Sequence, residues 1–183
     1  GSKLLYVGQV IKSKGIYDIL DMFKKESFSN LEIDIVGGGD MLDEGRKLVE
    51  KEPSLNKRVN FVGKVPYEDT VNNYFKNPEY GLFLFPTNRY EGLPMVLVES
   101  MFSGLPVVAY DKGGVPDAVV DNENGFLVKN GDKEGFMSKV LNLVNDQDRL
   151  NNFSANALEM AYRDFTIDKM LSKYEQVIQE VMK

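Results

Sequence analysis

The sequence contains no cysteine and no histidine. The first absence removes disulfides, thiol nucleophiles and cysteine-ligated zinc. The second removes Ser-His-Asp triads, imidazole bases and histidine metal sites. Chemistry is thereby confined to carboxylates, lysines, arginines, hydroxyls and backbone N–H groups. Long apolar runs are also missing: Leu82–Phe85 is of strand length, whereas a bilayer crossing needs ~20 apolar residues. Excess positive charge is missing too. The 22 Lys+Arg stand against 28 Asp+Glu, a net charge of -6, so the chain lacks the basic footprint that nucleic acid demands. Gly1-Ser2 reads as a cloning scar with a strand directly behind it and no signal-peptide pattern. A chain opening in this way reads as a piece of something larger.

What is present is 183 residues, 43% hydrophobic and 27% charged, the balance of one soluble domain with a proper core. Strand-like and helix-like patterns alternate along two-thirds of it. Lys3–Val7, Leu31–Val36, Arg58–Val62, Tyr80–Phe85 and Pro106–Tyr110 read as buried strands. Between them lie helical patterns over Gly15–Lys25, from an Asp40 cap through Val49, over Tyr67–Phe75 and over Pro94–Phe102. Short connections between alternating elements imply βαβ units, hence a doubly wound, Rossmann-like α/β fold with a parallel sheet and helices on both faces. After Gly113-Gly114 come two short apolar pieces, Ala118–Val120 and Gly125–Val128, and then helices over about 132–145, 147–162 and 166–182. The last carries an apolar stripe of Ile167, Met170, Leu171, Tyr174, Val177, Ile178 and Val181. Its mixed-charge polar face favours packing on protein over lipid.

Two segments carry candidate chemistry. Glu91-Gly92-Leu93-Pro94-Met95 through Glu99 places two carboxylates around a helix start at the carboxyl end of a strand, the edge where open α/β sheets bind ligands. Pro94 suits the first helical position. The amides of Met95, Val96 and Leu97 then face outward, where a diphosphate can bind. Glu99 lies ~7.5 Å of rise inside the helix. Each carboxylate can accept from neighbouring hydroxyls on its own side of a bound phosphate, although two glutamates alone also read as a cap and an exposed helical residue. The second segment, Gly8-Gln9 to Lys14-Gly15, sets a lysine ahead of a helix, where it can neutralise phosphate. Exposed loop lysines are common, so this segment is weak by itself.

Together with Val36 to Asp40, Val59 to Val65, Gly104-Leu105-Pro106-Val107-Val108, Gly113 to Asp117 and Asn124 to Val128, these segments resemble the C-terminal, donor-binding domain of the retaining GT-B glycosyltransferases of family 4. The likeness covers nearly the whole chain, read as one nucleotide-sugar-binding domain over 1–183 whose N-terminal acceptor domain is absent from this chain. The resemblance implies Lys14 and Glu91 as catalytic residues, Lys14 on the donor diphosphate and Glu91 on hydroxyls of the transferred sugar near C3 and C4. It implies Gly92, Leu93 and Met95 against phosphate and sugar, Glu99 on the ribose, and Lys64 and Val65 beside the nucleobase. The expected substrate is a UDP- or GDP-linked sugar, transferred with retention and without cofactor or metal, in cell-surface polysaccharide or glycolipid synthesis. The implied partners are that donor and the acceptor domain, with no nucleic acid. The implied location is the cytoplasm, with peripheral attachment of the full-length protein at the inner face of the membrane. The isolated domain is expected to have little or no transferase activity.

The chain departs from the family at Gln9, where an arginine is usual, and a neutral amide cannot replace a bidentate cation; Lys12 is the nearest candidate to compensate. Asp117 for the commoner Glu is a minor change. Gly37-Gly38-Gly39 lacks the sixth-position glycine and the acidic strand end of a dinucleotide fingerprint. Asp146-Gln147-Asp148 reads as a helix cap rather than a metal motif. The alternatives are a sugar-nucleotide epimerase of the same fold and a non-catalytic nucleotide-binding module.

Overall fold

Leu4 and Tyr6 turn to one side of the first strand and Leu5 to the other, as the two-residue period requires, and all three are buried. A strand covered on both sides belongs inside a sheet. A computed structural model of the chain describes residues 3–182 and shows that sheet: β1 (Lys3–Val7), β2 (Glu32–Val36), β3 (Val59–Gly63), β4 (Tyr80–Phe85), β5 (Val107–Asp111) and β6 (Gly125–Lys129). All neighbours pair in parallel, in the order β3-β2-β1-β4-β5-β6. The doubly wound expectation is met with an additional strand. The Gly125–Val128 piece is β6, in register with β5 from Val107 opposite Gly125 to Asp111 opposite Lys129.

The helices are α1 (Ile16–Phe23), α2 (Leu42–Lys51), α3 (Tyr67–Thr70, continuing as a π turn to Phe75), α4 (Met95–Phe102), α5 (Lys133–Val144), α6 (Gln147–Asp164) and α7 (Ile167–Val181). One face of the sheet is covered by Ile16, Ile19 and Phe23 of α1, by α2, by Phe136 and Val140 of α5, and by Leu150 and Phe153 early in α6. The other is covered by Phe75, by Leu97 and Met101 of α4, and by Ala157, Met160 and Ala161 late in α6. Midway along β2, Asp34 is 4% exposed. Lys3 Nζ at 2.9 Å, Asn60 Nδ2 at 2.9 Å and the Tyr80 hydroxyl satisfy it, as a buried carboxylate requires.

Asp146 caps α6 as expected, accepting from the Arg149 N–H at 3.0 Å. Asp40 does not cap α2. Met41 holds that position and donates its N–H to the Val10 carbonyl at 3.0 Å, so a tie to the loop after β1 sets the helix start. Within this chain the stripe of α7 is left uncovered: Ile167 is 71% exposed, Tyr174 62% and Val181 81%, and no α7 residue is buried. Amphipathic spacing marks a face for burial without supplying the surface that buries it. No helix among the described residues is long and apolar enough to cross a membrane. The Gly1-Ser2 reading lies outside those residues.

Candidate functional site

The strand order reverses between β1 and β4, so the loops leaving their carboxyl ends part around a crevice, the usual ligand position in such sheets. After β1, the Tyr6 hydroxyl donates to the Gln9 carbonyl at 2.7 Å and the Gly8 N–H to the Val36 carbonyl at 3.0 Å. Lys12–Lys14 then form one 3-10 turn, closed by Gly15 at φ 80, in the left-handed region. A Cβ on Gly15 would stand 2.0 Å from the Pro86 carbonyl oxygen, so only glycine lets this loop lie against the one after β4. The Asn88 N–H donates to the Ser13 carbonyl at 2.8 Å and holds the two together. That approach brings Lys14 Nζ to 2.6 Å from Glu91 Oε1, with side chains 12% and 21% exposed. The ammonium also lies 5.5 Å from the Phe85 ring centroid, and the Thr87 hydroxyl donates to the same Glu91 oxygen at 3.4 Å.

The helix tip differs from expectation in one respect. Pro94 has ψ 106 and precedes α4 rather than opening it, and its carbonyl takes the Leu97 N–H at 2.9 Å. Leu97 is therefore spent, leaving Met95 and Val96 as the outward amides. Gly92, Leu93 and Met95 are exposed at this tip. It is braced from below by a motif whose role the sequence did not disclose. The Gly114 N–H donates to the Glu91 carbonyl at 3.0 Å, and a Cβ on Gly114 would meet the Gly92 oxygen at 1.9 Å.

Glu99 is half-buried, and Tyr67 of α3 is close enough to perturb its carboxyl. Burial, the larger effect, holds its carboxyl above the ordinary value, and the neighbouring Tyr67 hydroxyl works against that rise. An open cleft of about 510 Å³ runs over the carboxyl ends of β1 and β2, lined by Val7, Gln9, Gly38, Lys64, Val65 and Thr70. The candidates thus fall into three neighbouring groups: Lys14 in contact with Glu91, the exposed tip of Gly92, Leu93 and Met95, and the cleft with Gln9, Lys64 and Val65. Among the described residues Glu99 makes no ion pair or hydrogen bond with Lys14 or Glu91, and lies toward Tyr67 instead. Lys12 is exposed on the 3-10 turn.

Three residues escaped the sequence reading. Thr87 and Tyr67 carried no signal there. Arg89, whose Nη1 lies 3.5 Å from Gln9 Oε1, was legible as a cation two residues ahead of Glu91. Chemically, the crevice offers cations and outward amides to an anion, carboxylates to hydroxyls, and a cleft to a flat ring.

Comparison with known proteins bears on this arrangement. A family described as "Glycosyl transferases group 1" matches residues 2–160. The N-acetyl-alpha-D-glucosaminyl L-malate synthase of Bacillus anthracis is 26% identical over 181 residues, covering 98% of this chain and 46% of the relative. Among solved structures, Anabaena HepE in complex with UDP and glucose superposes with a TM-score of 0.84 at 20% identity, over 98% of this chain and 48% of that one. The C-terminal domain of a group 1 glycosyl transferase from Francisella tularensis gives a TM-score of 0.75 at 20% identity, over 91% of this chain and 88% of that domain. Both structures share the fold. The chain spans about half the length of the curated relatives it matches.

Proposed function

Because the chain belongs to the glycosyl transferases group 1 family, we propose that it is the C-terminal, donor-binding half of a retaining, family 4 sugar transferase. The observation that carries this reading is the 2.6 Å contact of Lys14 with Glu91 at the β1/β4 crevice, beside the cleft lined by Lys64 and Val65. On this reading the donor diphosphate takes Lys14 and the Met95 and Val96 amides, where charge and helix dipole agree in sign. Glu91 accepts from hydroxyls of the transferred sugar, with the Gly92–Met95 backbone bordering sugar and phosphate. Glu99 accepts from the ribose hydroxyls, and the base lies against Lys64 and Val65. Support comes from the UDP and glucose held by HepE and from the matching extent of the Francisella C-terminal domain.

In the transfer, the bond from the sugar's anomeric carbon to the diphosphate oxygen breaks. The acceptor hydroxyl adds on the same face and gives up its proton to the departing diphosphate oxygen. Charge accumulates on the leaving diphosphate, so the task of Lys14 and the amides is electrostatic and preorganised. The reading gives no role to a metal or a resident cofactor. The acceptor-binding N-terminal half is the partner that completes the cleft, so this chain alone binds donor weakly and transfers little or no sugar. Cell-surface polysaccharide or glycolipid synthesis at the cytoplasmic face of the membrane follows from the sequence resemblance.

A thermal-shift panel of UDP, GDP, ADP and their sugar conjugates, with NAD as control, tests the reading. Ligand at 100 times its Kd stabilises by about 2.7 kcal/mol, which for this chain length raises the midpoint by about 5–10 °C. The diphosphate of one base is expected to shift the midpoint and NAD to leave it unchanged. No shift with any diphosphate, or an equal shift with NAD, overturns the reading.

A further inference from the structure

Lys14 is not a free charge. Glu91 neutralises it at 2.6 Å, so the pair brings no net positive charge to meet a dianion. The neighbouring turn offers Gln9, which is neutral. A diphosphate calls for further positive charge: Lys12 on the turn and Lys64 in the cleft are single ammoniums, and the crevice also holds a guanidinium. Arg89 reaches back from the loop after β4 until its Nη1 is 3.5 Å from Gln9 Oε1, across 80 residues of sequence.

Among the described residues Arg89 is in no ion pair, a property it shares with the ammoniums of Lys12, Lys64 and Lys112; what sets it apart is a planar guanidinium directed at Gln9. Its backbone is also held in place: the Arg89 N–H donates to Thr87 Oγ1 at 3.3 Å, and the preceding Asn88 is tied to Ser13 at 2.8 Å. Arg89 is therefore anchored on the same two loops that carry the Lys14–Glu91 pair. Of the ammoniums nearby, Lys112 lies 5.1 Å from the centre of the Tyr90 ring, and Lys12 and Lys64 are exposed and lack the two-pronged geometry.

We propose that Arg89 supplies the uncompensated, two-pronged phosphate contact of this site, its guanidinium steered over the Gly8–Gln9 turn by the Gln9 amide oxygen. The inference rests on the donor-site reading above. A planar fork suits two phosphate oxygens at once, which an ammonium does not. The sequence nominated Lys12 for this task; the geometry nominates Arg89.

Calorimetric titration of UDP, GDP and ADP, and of uridine, guanosine and adenosine, into the wild-type chain and into Arg89→Ala tests it. The diphosphate that binds wild type is expected to bind Arg89→Ala about ten- to a hundredfold more weakly. The matching nucleoside is expected to bind both alike. Lys76→Ala, which removes a cation at the amino end of β4, is expected to change neither. Arg89 is exposed, so its variant should melt with wild type. Undiminished diphosphate binding by Arg89→Ala refutes the proposal. So does an equal loss for nucleoside and diphosphate, or an equal loss in Lys76→Ala. A wild-type chain that binds none of the three diphosphates refutes the donor-site reading itself.

Discussion

Glu91→Gln and Lys14→Ala break the same ion pair, yet they are expected to move nucleotide binding in opposite directions. Both lower stability, because each strands a group that is largely buried (12% exposed for Lys14, 21% for Glu91). The cost is about 1–3 kcal/mol, less than for a fully enclosed pair, since water still reaches both. Binding is another matter. A phosphate oxygen that accepts from Lys14 Nζ sits ~5 Å from the Glu91 carboxylate, and two like charges at that distance repel by about 3 kcal/mol at an effective dielectric of ~20. Salt and partial exposure reduce this to ~1–2 kcal/mol. Glu91→Gln removes the repulsion and releases Lys14, so a free nucleoside diphosphate should bind about five- to thirtyfold more tightly. Lys14→Ala loses a charge-assisted bond and bares the carboxylate, weakening the same ligand about ten- to a hundredfold.

The sugar conjugate separates attraction from repulsion. If Glu91 accepts from the sugar's hydroxyls, Glu91→Gln forfeits a bond to a charged acceptor, which offsets the electrostatic gain. Calorimetry with the diphosphate and its sugar conjugate, alongside urea unfolding, reads every arm. Weaker diphosphate binding in Glu91→Gln would show that the intact pair, rather than Lys14, recognises phosphate. An equal gain for the sugar conjugate would show that Glu91 does not touch the sugar.

Three further outcomes are expected. Gly114→Ala drives a Cβ into the Gly92 carbonyl, 1.9 Å away, and backbone cannot rotate aside, so urea unfolding should show a loss of about 2–3 kcal/mol; a loss under ~0.5 kcal/mol would mean that the tip is not braced there. Ending the chain after Phe165 removes α7, none of whose residues is buried, so the melting midpoint should stay within about 2 °C and sedimentation should show less self-association at high concentration; a large drop in the midpoint would contradict the exposed helix. Glu99 titrates above its ordinary 4.5 because of burial; the folded state then holds a proton that the unfolded state has released, so this group's contribution to stability falls as pH rises from 4.5 through the raised value. Glu99→Gln should lack that decline, and superimposable urea midpoints from pH 4 to 7 would refute it.

The layered fold was legible because burial on both faces of a parallel sheet leaves its mark inside each strand. Tyr80–Phe85 is apolar at nearly every position, and its residues do divide between two cores. The elements that shifted are those whose bounds depend on distant partners. Met41 starts its helix because its N–H is bonded to Val10, a stronger constraint than the local capping preference of Asp40. Gly125–Lys129 is a strand because β5 lies beside it, although in sequence it is only a short apolar piece.

The same division runs through the site. Spacing rules speak for residues on one element, and Glu91 and Glu99 could be nominated together because a single loop and helix carry both. Charge balance between loops has no local signature. Lys14 reads in sequence as an open cation, and Glu91, 77 residues away, closes it. Arg89 reads as one more loop residue, and the reversal of strand order at β1 and β4 leaves it opposite Gln9. On the Arg89 proposal, a neutral side chain at position 9 is compatible with anion binding. What a crevice offers a phosphate is the sum of charges that topology brings to both of its rims, and a substitution on one rim can be met from the other.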